Sequence, residues 1–309
     1  MRWQGPEPVT QQARRFYDGG LDADPGAHPP QVGVPPDPTS DPRIVLLRVD
    51  DSGHEQFALE RRIAYDDRHL GELLVPRVTR TFRSDLTSVP ALFTWLVPKT
   101  GQHLPATLLH DGLIHPPDDV TYVSSQGHVV LRAEADRVLR DAMADSGTAL
   151  IRRWLVWSAV ATATMLSGAG TGWSKAVARR YRATAALTVL VVVLLGACAT
   201  LDLLDVHVTG VPQLPWMGDR PWYAELAGGL AGALVVPLVL ALLWGPFRVA
   251  GAVVGVTLAV LLHVTIALLV LTAAYRLLEW LTARAPTLVL VALAAVVAVA
   301  LVVFVTLLA

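Results

Sequence analysis

Asp85, His110, Asp111 and Asp136 are the residues of this chain whose types and spacing could do chemistry. They sit in a stretch dense in uncommon combinations, Phe82-Arg83-Ser84-Asp85-Leu86-Thr87-Ser88-Val89-Pro90 and then Leu108-Leu109-His110-Asp111. Three carboxylates and an imidazole that converge can hold a divalent metal. His110, Asp111 and Asp85 are then the ligands, with one position open for water. The same groups can act without a metal, His110 serving as a general base oriented by an aspartate. His103, His115 and His128 are close enough in sequence to join. A purely structural role competes with both. Asp85 and Ser88 are good turn and capping residues ahead of a helix that Pro90 would open, and His110-Asp111 can clamp a helix to that turn. In that role Asp136 pairs with Arg132 or Arg140. The chain has no His-Glu-x-x-His, no phosphate-cradling glycine loop, no Gly-x-Ser-x-Gly and no dinucleotide fingerprint.

The elements that must position these residues read as a small α+β domain. Ile44–Val49 and Phe57–Tyr65 alternate as strands, and Leu73–Pro76 and Val78–Phe82 continue an antiparallel sheet, Pro76 marking an edge or an end. Helices follow at Pro90–Leu96, Ala106–Ile114, Leu131–Ala144 and Ile151–Leu166. Helical spacing makes Arg132/Asp136 and Arg137/Asp141 i,i+4 pairs on the third. Residues 1–41 hold eight prolines and read as a disordered or polyproline-like arm. The domain itself is expected over 42–178.

Residues 179–309 are different. Ala183–Leu201, Leu226–Trp244, Val249–Leu271 and Thr287–Leu308 are long apolar runs, each near the ~20 residues a helix needs to cross a bilayer. They predict an all-α bundle of four transmembrane helices, hence a multi-pass protein of the cell membrane with the lipid bilayer as partner. Lys175, Arg179, Arg180 and Arg182 precede the first run, Arg248 follows the second, and only Arg220, Arg276 and Arg284 fall in the alternate loops. Positive charge collects on the cytoplasmic side, which puts the front domain and the C-terminus there. Gly228/Gly232 and Gly251/Gly255 are pairs of glycines four apart, spaced for close helix packing within the chain or in a homo-oligomer. His263 is the one ionisable residue deep in a run. A net charge of −1 gives no reason to expect nucleic acid, and the lone Cys198 excludes an internal disulfide. Met-Arg-Trp-Gln-Gly-Pro-Glu-Pro has no apolar core, so no cleavable secretion signal is expected.

Residues 43–173 resemble the phage-associated domain of unknown function 1353. The resemblance rests on Val75-Pro76, Phe82-x-Ser84-Asp85-Leu86-Thr87-Ser88-Val89-Pro90, Trp95-Leu96-Val97-Pro98, Ala106-x-x-x-His110-Asp111 and Ala135-Asp136, in the family's order and spacing. Thr87 replaces an alanine and Thr81 a glycine. Gly112-Leu113-Ile114 stands where the family has aromatic-Leu-aromatic, so a pocket lined by those aromatics would be altered. The resemblance implies no reaction. The leading expectation is a binding or sensing module tethered to the membrane. The rival is a membrane-tethered, metal-assisted hydrolase working through Asp85, His110, Asp111 and Asp136. A transporter ranks last, because the runs lack paired charges.

Overall fold

A buried pair of strands builds the sheet that carries the domain. In β4 (Ile63–Asp67) every residue but Asp66 is buried. β4 pairs antiparallel with β5 (Gly71–Val75) in the register Ile63↔Val75 to Asp67↔Gly71. β1 (Phe16–Asp18) lies on the free edge of β4 and β6 (Val123–Ser124) on that of β5, giving the order β1-β4-β5-β6. β2 (Leu46–Asp51) and β3 (His54–Leu59) form a separate hairpin. The computed structural model describes residues 15–24, 26, 30–51, 54–86, 98, 100–114 and 119–287, and positions 294, 295, 298, 299, 301 and 306. It divides into the units 1–259 and 260–309.

Three expectations are corrected here. The arm expected to be disordered is ordered from Arg15 onward in its described part. Phe16 enters the core, Asp18 is buried under a bidentate bond from Arg61 (both contacts 2.7 Å), and Asp22 accepts from Thr79 Oγ1 at 2.7 Å. Prolines exclude helix but not a chain held by side-chain bonds. Phe57–Tyr65 is two strands, because Arg61 and Arg62 leave the ladder to bond Asp18 and the Leu21 carbonyl. Val78–Phe82 is a turn, since Thr79 is drawn to Asp22. The helix expected at Pro90–Leu96 lies outside the described residues.

The helices follow the pattern read from the sequence. α1 (Leu104–Leu113) buries Leu108, Leu109 and Leu113. Gly112 lets it approach the sheet, as a Cβ there would lie 2.3 Å from Val75 Cγ1. A larger side chain at this position has no room. α2 (Arg132–Asp145) buries Ala135, Val138, Leu139, Ala142 and Met143. α3 (Leu150–Ser167) packs between α2 and α4 (Lys175–Leu203) and buries Val156, Trp157, Ala161 and Met165, so it is a core helix. The same apolar cluster continues through α3 to Ala185, Trp244, Phe247 and Ala250. The expected boundary after residue 178 falls inside α4.

Two helices, not four, are long and apolar enough to cross a membrane among the described residues: Lys175–Leu203 and Trp222–Arg284. The second contains two of the expected runs, as α5 (Trp222–Ala241) and α6 (Arg248–Arg284), joined without a polar loop through the 3₁₀ turn Leu242–Phe247. Gly245 is the break, at φ 58 and ψ −121, a left-handed backbone that only glycine adopts without strain. The chain folds back there. A straight helix would hold Pro237 and Gly255 about 27 Å apart at ~1.5 Å per residue, whereas a Cβ on Gly255 would lie 2.8 Å from Pro237 Cβ. The fourth run lies largely outside the described residues. The glycine pairs are used within the chain: Gly228 and Gly232 face Trp216, Gly251 faces Trp244, and Gly255 faces Pro237.

α2 is fastened to the sheet by a buried ion pair. Arg137 donates to Asp67 at 2.9 and 3.1 Å, and Asp67 Oδ1 also accepts from the His69 and Leu70 N–H groups. Burial acts to raise the Asp67 pKa, but the Arg137 bonds and the two N–H groups outweigh it and hold the carboxyl below its ordinary range. Its stabilisation is therefore present above the unfolded pKa of ~3.9 and is lost as pH falls through the lower folded value. Asp67→Ala is expected to cost about 3 kcal/mol, because Arg137 keeps no equal partner. A thermal melt at neutral pH checks this, and the gap between variant and wild type should narrow in acid.

Candidate functional site

Two adjacent residues of α1 turn to different neighbours, as a 100° step per residue requires. His110 faces α2: its Nε2 lies 2.9 Å from Asp136 Oδ1, and both residues are buried. Asp136 therefore pairs with His110 and not with Arg132, whose Nε donates to Thr164 Oγ1 at 3.1 Å. The other expected pair, Arg137 with Asp141, forms at 3.3 Å. Among the described residues Asp136 Oδ2 finds no hydrogen-bond partner.

Asp111 faces the turn at residues 82–86. Ser84 donates its hydroxyl to Asp111 Oδ2 and accepts from the Leu86 N–H at 2.9 Å. The backbone of Ser84 exchanges both hydrogen bonds with Phe57, at 2.8 and 2.9 Å, so this turn is nailed to β3. Leu86 is held at φ 68 with its side chain buried, a sparsely populated conformation for a bulky residue. Asp111 keeps some exposed surface as a residue, but its carboxyl is turned inward. Burial pushes its pKa up to about 7; the Ser84 hydroxyl and His110 oppose the rise, and the charge of Asp85 adds to it.

The expected cluster is thus two pairs. Asp85 is near enough to act on Asp111 electrostatically. His110 and Asp136 form a separate contact. Among the described residues no three His, Cys, Asp or Glu side chains are grouped so as to hold a metal ion. His103 is fully buried, with Nε2 3.0 Å from the Pro98 carbonyl, and burial, partly offset by that bond, lowers its pKa. His128 reaches Gln126 at the surface, and His115 lies outside the described residues. Ser84 is the residue that reading by type passed over. Its signal was its place in the motif, two residues before a leucine forced into a left-handed turn.

The arrangement joins three elements: Ser84–Asp111 ties the 82–86 turn to α1, and His110–Asp136 ties α1 to α2. Every residue of both pairs lies within the part of the chain that the sequence profile of the family described as Protein of unknown function (DUF1353) matches, residues 57–160. This is about a third of the chain and is narrower than the 43–173 read from motifs. α4, α5 and α6 lie outside it. No curated protein and no solved structure matches the chain.

His110→Ala is expected to lower stability by about 3 kcal/mol, because Asp136 would be left buried without its donor. A double replacement, His110→Leu with Asp136→Leu, should cost less than the sum of the single changes, as read from thermal melts. The Asp111 carboxyl works in the opposite sense from Asp67. Its folded pKa is raised, so the folded state holds a proton that the unfolded chain releases above ~3.9. Stability contributed at this site falls as pH rises from ~4 to about 7 and is level above that. Asp111→Asn keeps an acceptor for Ser84 and should remove this slope, seen by comparing melting temperatures of variant and wild type across that range.

Proposed function

We propose that this chain is a membrane protein whose N-terminal α+β domain is a binding or sensing module seated directly on its membrane helices. The carrying observation is the continuity of the apolar core. Trp157, Ala161 and Met165 of α3 belong to one cluster with Ala185 of α4 and with Trp244, Phe247 and Ala250 around the α5–α6 turn. No flexible linker intervenes: α3 ends at Ser167 and α4 starts at Lys175, and Arg182 bridges the gap by donating to the Leu166 and Ser167 carbonyls at 2.7 and 3.0 Å. A domain joined in this way passes strain to the helices when a ligand displaces it.

Helix dimensions support the membrane reading. α5 runs twenty residues from Trp222 to Ala241, about 30 Å of rise, which matches the apolar thickness of a bilayer. It packs on α4, and its far end returns to Thr188, whose hydroxyl accepts from Trp244 Nε1 at 3.0 Å. Trp216, Trp222 and Tyr223 stand at one end of this hairpin and Trp173, Tyr181 and Phe247 at the other, as aromatic belts do. Apolar side chains between them, such as Leu190, Leu194, Leu230 and Leu234, are exposed. The excess of Lys and Arg in the first turns of α4 favours a cytoplasmic front domain. The hydrolase reading has no comparable support, since among the described residues the two pairs link elements and no three His, Cys, Asp or Glu side chains are grouped to hold a metal ion.

The full chain should stay in the membrane pellet after alkaline carbonate extraction; release into the supernatant would refute the membrane reading. Truncation after residue 178 should melt well below the front domain of the intact protein, because it uncovers Trp157 and Met165. An unchanged melting temperature would show that the domain is only tethered.

A further inference from the structure

The end of the hairpin nearest the front domain carries charges that make no ion pair among the described residues. Trp173, Tyr181 and Phe247 form an aromatic cluster there, with ring centroids 4.6, 5.6 and 5.9 Å apart. Lys175, Arg179 and Arg180 flank it on α4, and Arg248 follows Phe247 at the start of α6. All four are exposed. Arg182, by contrast, is spent on the α3 carbonyls. Among the described residues the four make no hydrogen bond or ion pair with a carboxylate. α4 has no acidic residue in its first turn, so its own backbone dipole adds to their positive potential.

We propose that Lys175, Arg179, Arg180 and Arg248, set around the Trp173–Tyr181–Phe247 cluster, form a collar that binds the phosphate headgroups of an anionic lipid leaflet. The inference rests on the membrane reading above and adds the chemistry of the partner. Folding is what makes the collar. Residues 175–180 and residue 248 are far apart in sequence and are brought to one end of the hairpin by the return of α5 and the reversal at Gly245. Directly beyond them the surface of α4 becomes apolar, with Leu187, Leu190 and Leu194 exposed. Aromatic rings at the headgroup level, cations that reach the phosphates and an apolar wall below make the sequence of layers that a lipid leaflet presents. Each cation near an anionic surface strengthens association roughly fivefold, and three together on the order of 100-fold. The bound leaflet would hold the front domain at a set height and tilt, so a change in anionic lipid would be felt through α3 and α4 by the module they carry.

The test reconstitutes the full chain in vesicles of phosphatidylcholine, with and without phosphatidylglycerol, and measures by spin-labelled lipids the preference of the protein for phosphatidylglycerol over phosphatidylcholine. A several-fold preference that falls as salt is raised is expected for the wild type. It should be lost in Lys175→Gln/Arg179→Gln/Arg180→Gln and reduced in Arg248→Gln alone, which changes one exposed residue. Equal contact with both lipids in a protein that is stably inserted would overturn the collar and leave the membrane reading intact. Failure to insert in either vesicle would overturn both. Loss of the preference on adding inorganic phosphate, at matched ionic strength, would assign the cations to a free anion instead of a lipid.

Discussion

α2 is held by polar contacts on both sides of a buried apolar face, and the rest of the molecule depends on that. Asp136 reaches His110 on α1, and Arg137, its neighbour in sequence, reaches Asp67 on β4. One helical step separates the two side chains by about 100°, so adjacent residues lock α2 to two different elements. Between them Val138, Leu139 and Ala142 fill the core. Slippage of α2 along either neighbour would bury a carboxylate or a guanidinium without a partner. That cost is far greater than the gain from any alternative apolar packing. The position of α3 follows, since it lies on α2, and α4 lies on α3.

The buried dyad ties α1 to α2. A histidine beside an aspartate is also the arrangement of a general base and the group that orients it. Both side chains here are buried, and the neighbouring aspartate is committed to Ser84. The Ser84 turn has the same character. Its hydroxyl stabilises a leucine in a left-handed backbone while its main chain joins β3. A raised Asp111 carboxyl is the cost of using an acid as the anchor of that turn.

The long apolar helices α4, α5 and α6 are organised by a different constraint. Close packing of helices there comes from glycine, and each glycine pair is filled by a bulky group of the same chain: Trp216 at Gly228 and Gly232, Trp244 at Gly251, and Pro237 at Gly255. The last two contacts close the reversal at Gly245. Trp244 is wholly buried and also bonds Thr188, so a single side chain links the reversal to α4 and to the core of the front domain.

Much of this was legible in the residues. The 3.6-residue pattern of Ala135, Val138, Leu139 and Ala142 depends only on local geometry, so that helix and its buried face could be read directly. So could the apolar length of α4 and α5 and the family resemblance, whose motif residues are local in sequence. The partners of polar residues could not. Arg132 is correctly spaced for Asp136 on a helix surface, yet Asp136 lies on the buried side, where only a residue from another helix can reach it. The described part of the arm looked featureless because it is held by Arg61, Arg62 and Thr79, all distant in sequence. Two apolar runs could not be known to be halves of one reversal, because the turn at Leu242–Phe247 is itself apolar and carries no polar loop. The sequence by itself determined which stretches must leave water, since hydrophobicity is a property of each side chain alone. Only the tertiary structure decided which charges are spent in the core and which stay exposed, because a buried charge is tolerated only where a partner from elsewhere in the chain meets it.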